Sequence, residues 1–271
     1  MTLDNAVIQI KQLIENAIRT GGTTAKNNLI RSSVPINLIH EAVKNQLVNN
    51  GVQPQQIRPL IGQSQGEVNL YGFLKKKAQD LAVLPTDILA TPERVVLGKT
   101  DPYGSQFTAK TLSINVRSQL SSAAKNFDTL YERTFAEAIN LHERCPNMVL
   151  GEVYMIAVRE YDITASDQNR VAFKPLDANI RNHVDKYLKY FELLNNRTTS
   201  TGDKHKYERV SLILVDFSPA TPKIYSTKQE LINDGLLDAS STATINNLTF
   251  DTIVPTLIQQ YQARFGAPSF I

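Results

Sequence analysis

The sequence predicts an α/β (α+β) fold, a mixed central sheet flanked by helices with a helical N-terminal region ahead of it. Three observations carry this. Apolar residues recur at helical spacing through the first part of the chain. After Pro92 the patterns alternate as strand, strand, helix, strand, helix, strand, strand, helix. The run Val210-Ser-Leu-Ile-Leu-Val-Asp-Phe217 is almost continuously apolar and has the length of a central strand. Two regions follow: residues 1–92, mostly helical, and residues 93–271, which carry the sheet.

Leu3, Val7, Ile10, Ile14, Ala17 and Ile18 form one helical face, and Gly21-Gly22 ends it. Ile36, Leu38, Ile39, Val43 and Leu47 repeat the pattern until Asn50-Gly51. Residues 66–90 continue it with Tyr71, Phe73, Leu74, Ala78 and Leu81, and enclose Lys75, Lys76 and Lys77. Residues 94–97 and 110–117 read as short strands joined by a turn at 98–104. Phe127, Leu130, Tyr131, Phe135, Ala138 and Ile139 define a strong helix, with Thr129-x-x-Glu132 as a capping box and Pro146 as its stop. Residues 148–158 read as a buried strand with a bend or bulge at Gly151. A second strong helix spans 180–194, capped by Asp177 or Asn179. After the strand at 210–217, a short strand at 223–226 and a final helix from about Asp251 complete the chain.

Composition excludes several classes. The 271 residues include 42% hydrophobic and 20% charged side chains, an ordinary globular balance. Cys145 is the single cysteine, so neither an internal disulfide nor a cysteine-based zinc site is available, and a reducing, cytoplasmic setting is expected. No apolar run approaches the ~20 residues of a membrane span. Met1-Thr2-Leu3-Asp4 lacks the basic and apolar segments of a secretory signal. A net charge of +3 permits a nucleic-acid partner without demanding one.

Familiar catalytic motifs are absent. Gly98-Lys99-Thr100 would need a glycine at position 93 to form a phosphate loop, and that position is Glu93. His40, His142, His183 and His205 show no metal-ligand spacing, and Cys145 reads as a buried, inert thiol. The lysine run at 75–77 reads either as a solvated face or as a phosphate contact.

The informative segment runs from Thr100 to Gln119 and into the helix bearing Glu132-Arg133-Thr134 and Glu137. Strand alternation puts Asn115, Arg117 and Gln119 of Ile-Asn-Val-Arg-Ser-Gln on one face. This segment resembles the core of type II restriction endonucleases of the PD-(D/E)xK superfamily, and the likeness extends over roughly residues 95–217. In that family an acid ends one strand, and the next strand carries an acid and a lysine two residues apart. Here Asn115 stands where the acid is expected and Arg117 where the lysine is expected, with Asp101 as the upstream acid.

The resemblance implies a site-specific endodeoxyribonuclease that hydrolyses double-stranded DNA with Mg²⁺ and acts as a homodimer. It implies Asp101, Arg117, Gln119 and Glu152 as catalytic residues, with Asp101 and Glu152 holding the metal ion. Glu152 interrupts an apolar strand and is the preferred substitute for the missing acid; its other reading is a glutamate facing solvent at a bulge. Glu132 reads more strongly as a helix cap and Glu137 as a surface charge. Asn115, Lys125, Lys75, Lys76 and Lys77 are the expected DNA contacts. The rival reading is a non-catalytic nucleic-acid-binding or structural protein on a similar scaffold.

Overall fold

The computed structural model describes residues 1–85, 108–121, 127–176 and 178–266. The strand expected at 94–97, the turn at 98–104, the cap at Asp177, and both Asp101 and Lys125 lie outside the described residues.

Helix α1 spans Leu3–Arg31, and the Thr2 hydroxyl caps it by accepting from Asn5 N at 3.3 Å. Gly21 and Gly22 interrupt this helix rather than end it: both leave helical geometry, and the helix then resumes to Arg31. Gly22 has φ of 61°, and a Cβ there would lie 2.9 Å from the carbonyl oxygen of Ser166. The kink thus seats α1 against the short helix that contains Ser166. Helix α2 spans Val34–Asn49, close to expectation.

The next segment departs from expectation. Residues 66–85 are not helical. Strand β1 (Ile57–Arg58) is followed by a hairpin of β2 (Val68–Tyr71) and β3 (Lys76–Gln79), then by β4 (Leu81–Val83). Lys75, Lys76 and Lys77 therefore sit on a β-hairpin and not within a helix. Helix-like spacing of Tyr71, Leu74, Ala78 and Leu81 masks the period-two burial of Val68 and Leu70.

Strand β5 (Leu112–Gln119) leads to helix α3 (Phe127–Arg144) and strand β6 (Leu150–Ala157). Helix α4 (Ile163–Asp167), helix α5 (Ala178–Leu194), strands β7 (Arg209–Asp216) and β8 (Lys223–Tyr225), and helices α6 (Lys228–Asn233) and α7 (Ile253–Phe265) follow. No described helix is long and apolar enough to cross a membrane.

The main sheet has six strands in the order β1-β4-β5-β6-β7-β8. Strands β5, β6 and β7 run parallel, and β1, β4 and β8 add antiparallel edges. Two strands of this sheet come from the first 92 residues. The sheet is covered on both faces, so every residue of β6 is buried. Ile114, Val116, Val153 and Met155 meet α1, α2 and α7 on one side. Leu150, Tyr154, Ile156 and Leu212 meet α3 and α5 on the other.

Two local features differ from expectation. Gly151 is no bulge, because it keeps register with Ile114 and Arg209. A Cβ at Gly151 would lie 2.7 Å from Leu257 Cδ1, so the glycine serves the close approach of α7 to the sheet. Helix α3 begins at Phe127, which puts Thr129 inside it, so Thr129-x-x-Glu132 is not its cap.

Candidate active site

Leu112, Ile114 and Val116 point into the core beneath α1, α2 and α7. The alternate residues Ser113, Asn115, Arg117 and Gln119 therefore face α3. The parallel register sets Asn115 directly beside Glu152 on β6. On the other side, β4 pairs Leu81 with Ile114, so Asp80, one residue earlier, falls beside Asn115. Its Oδ2 accepts from Val116 N at 2.8 Å. Asp80, just ahead of β4, thus lies at the end of a row that Asn115 and Glu152 form on neighbouring strands.

Arg117 lies in front of that row. Its Nη1 donates to Glu152 Oε1 at 2.6 Å and to Thr134 Oγ1 at 3.1 Å, and its Nη2 donates to Glu137 Oε2. Thr134 and Glu137 are one turn apart on α3 and both reach it. Lys77 from β3 joins the cluster, with Nζ 3.0 Å from Glu137 Oε2. Tyr207, fully buried, donates its hydroxyl to Thr134 O at 2.9 Å and steadies the helix at this point.

Burial dominates the electrostatics. Glu152 is fully enclosed, and burial pushes its carboxyl up to about 8, despite the pull of Arg117; the Glu137 and Asp80 charges push the same way. Burial also raises Asp80, offset in part by the Val116 amide, Arg117 and Lys77. For Arg117, burial opposes the charge, but Glu152, Tyr207, Glu137 and Asp80 outweigh it and raise its pKa. Three carboxylates face two cations, which leaves one negative charge in excess when all are ionised. Among the described residues Glu152 Oε2, Glu137 Oε1 and Asn115 Nδ2 have no hydrogen-bond partner.

A pH dependence follows. The folded-state pKa of Glu152 is raised, so the folded protein binds the extra proton between the ordinary glutamate value and about 8. Its contribution is fully present below the ordinary value and is lost as pH rises through about 8. Thermal melts are expected to show stability falling over that window, with the slope removed in Glu152→Gln, where two carboxylates face two cations. A wild-type melting temperature that is flat across this window would contradict this charge balance.

Arg117, Glu152 and Asn115 come together, and Lys77 meets them through Glu137. Gln119 lies farther along β5, donates to Ser121 O, and shares an open cleft with Arg117, Thr129, Arg133 and Tyr154. Lys75 and Lys76 are exposed on the hairpin. Glu152 faces inward, not to solvent at a bulge. Glu137 is no surface charge; it is 5% exposed, whereas Glu132 is exposed.

Asp80 is the site residue that sequence reading missed, because its segment read as helix; the signal was an acid directly ahead of Leu81-Ala-Val-Leu84. Glu137 was misread as a surface charge; the available signal was its helical spacing with Leu130, Thr134 and Leu141, all of which are buried. His142 is structural: it is fully buried, with Nδ1 3.0 Å from Lys204 O and Nε2 3.4 Å from Glu208 Oε2. Cys145 is buried.

The donor chemistry is that of hard oxygens. Asp80, Glu152 and Glu137 offer a set of carboxylate oxygens, two of them without partners, beside an excess negative charge when all are ionised. It is not a cluster of three or more open acidic or imidazole ligands, and none occurs among the described residues. Comparison of the chain with protein-family models, with curated proteins and with solved structures gave no match.

Proposed function

We propose that this chain is a Mg²⁺-dependent endonuclease of the type II restriction kind, hydrolysing phosphodiester bonds in specific double-stranded DNA. The observation that carries the reading is Asp80 just ahead of β4, hydrogen-bonded to the Val116 amide, with Asn115 on β5 beside Glu152 on β6 and Arg117 two residues beyond Asn115. It resembles the PD-(D/E)xK arrangement, with Asp80 in the place of the strand-associated acid. Glu152, on the adjacent strand, supplies the acid that Asn115 lacks. The order helix α2, strands β1, β4 and β5, helix α3, parallel strand β6 also supports a restriction-endonuclease-like core, with the β2–β3 hairpin as an insertion.

Asp80 and Glu152 would hold the metal ion. When bound, Mg²⁺ offsets charge on the phosphorus centre and lowers the pKa of a bound water. Arg117 cannot lose its proton and serves as a fixed cation, kept in place by Thr134 and Glu137. Glu152 must shed its proton to become a ligand, so cleavage should rise with pH toward about 8. Asp101, outside the described residues, is a further acid available to this scheme. A homodimer would present two such sites to the two strands of a palindrome.

Arg117 is held by two carboxylates, which also suits a purely structural ion pair and hence a non-catalytic DNA-binding protein. Incubation with long DNA and Mg²⁺ separates the two. Discrete fragments are expected on a gel, and a mobility shift without cleavage would overturn the nuclease reading. Binding is expected to weaken steeply with salt, with a slope of about 0.9 per phosphate contacted; a flat dependence would remove DNA as the partner.

A further inference from the structure

The β2–β3 hairpin ends in a tip whose backbone is fastened to α3. Gly72 N donates to Lys75 O at 3.0 Å, and Phe73 N donates to Asn140 O at 2.7 Å. Asn140 Oδ1 accepts from Leu74 N at 2.8 Å and Lys75 N at 3.1 Å, while its Nδ2 donates to Lys75 O at 3.0 Å. Arg144, one turn further along α3, donates to Tyr71 O at 2.8 Å. A Cβ at Gly72 would lie 2.0 Å from Asn140 Nδ2, so glycine alone allows this approach.

The two side chains at the tip do the opposite of the backbone. Phe73 is 67% exposed and Leu74 81% exposed, the two most exposed large apolar side chains among the described residues. Neither position contributes to the core. A firmly anchored backbone that presents bare apolar side chains is organised for contact with something outside the chain.

The surroundings identify the chemistry of that contact. Lys75, Lys76 and Lys77 follow the apolar pair directly, and β3 then leads into Asp80. Helix α3 carries Asn140 to the tip and Glu137 to Lys77 and Arg117, so tip and cluster share one rigid support. Cations beside an apolar point match a polyanion with stackable bases, not an apolar protein groove.

We infer that Phe73 and Leu74 form a wedge that enters between base pairs of duplex DNA, with Lys75 and Lys76 on the flanking phosphates. This rests on the DNA-directed reading of the same cluster. Partial unstacking by such side chains kinks a duplex by about 20–90°. The tip is held by α3, so the wedge is set before DNA arrives and fixes where the bent duplex lies relative to Arg117.

The test uses closed circular plasmid relaxed by a topoisomerase in the presence of the protein, with Ca²⁺ in place of Mg²⁺. Wild type is expected to change the linking number. Phe73→Ala with Leu74→Ala should abolish that change and weaken plasmid binding by about tenfold or more, the scale of a lost stacking contact. Its melting temperature should be unchanged, since both side chains are exposed. Lys75→Gln with Lys76→Gln should reduce the salt slope of binding and still change the linking number once bound. A Phe73/Leu74 double variant that binds and shifts linking number like wild type overturns the wedge. So does a wild type that cleaves plasmid in Mg²⁺ but leaves linking number unaltered, and in that case the nuclease reading stands. A wild type that neither binds nor cleaves plasmid overturns both.

Discussion

Asp80→Asn and Glu152→Gln are each expected to slow DNA cleavage by roughly 10²–10³-fold or more, the scale of losing one preorganised electrostatic group. Specific binding should stay within a few-fold, because positioning on DNA depends on many phosphate and base contacts elsewhere. Both substitutions keep size and shape. The amide that replaces the Asp80 carboxylate can keep an oxygen toward Val116 N, and the amide at position 152 removes a charge that burial already opposes. Single-turnover cleavage and equilibrium binding, measured side by side, separate chemistry from recognition. Wild-type cleavage rates in both variants would take the acids out of the mechanism and leave Glu137 as the next to test.

Arg117→Ala has the larger expected effect on stability. Above about pH 8, where Glu152 is ionised, it should destabilise the fold by about 3–5 kcal/mol, the usual cost of leaving a buried charge without its partner. Glu137 keeps Lys77 at 3.0 Å, but Glu152 loses the cation it pairs with. The loss should shrink below about pH 8, where Glu152 holds a proton. Combining Arg117→Ala with Glu152→Gln should recover much of it, which denaturant titration of the single and double variants will show. Arg117→Lys should fall between, because one ammonium cannot reproduce the fork that reaches Glu152, Thr134 and Glu137 together. A single variant that unfolds like wild type would mean that the cluster is not held by this ion pair.

The central architecture was legible because its elements are long and their periods are unambiguous. Strands β5, β6 and β7 and helices α3 and α5 fall within a few residues of the expected bounds. Glu152 was singled out by a simple physical signal, a charge interrupting an apolar strand, and Arg117 by the resemblance that put it at the lysine position of the motif. The hairpin was not legible, for an equally physical reason. Its exposed Phe73 and Leu74 break the alternation that marks a strand, and three lysines in succession look like a solvated helix. Asp80 was lost with it. Helix α3 was recognised with its buried stripe turned: Tyr131 is exposed, while Thr134 and Glu137 are buried. Reading polar residues as outward facing fails at a site that holds its charges in the interior.

One face of the sheet has an origin that matters while the chain is being made. The cover beneath β5, β6 and β7 is shared between Ala6, Ile10 and Ile14 near one end and Val254, Leu257 and Tyr261 near the other. A ribosome that has released β7 has therefore released the apolar strand surface but not yet α7, which closes it. Parallel strands joined through helices already assemble slowly, because distant segments must meet first. The nascent protein thus passes through a stage with a half-covered sheet, which attracts chaperones and invites aggregation. Slower synthesis over the stretch from β8 to α7 would lengthen that exposure, and coexpressed holdases would limit its consequences.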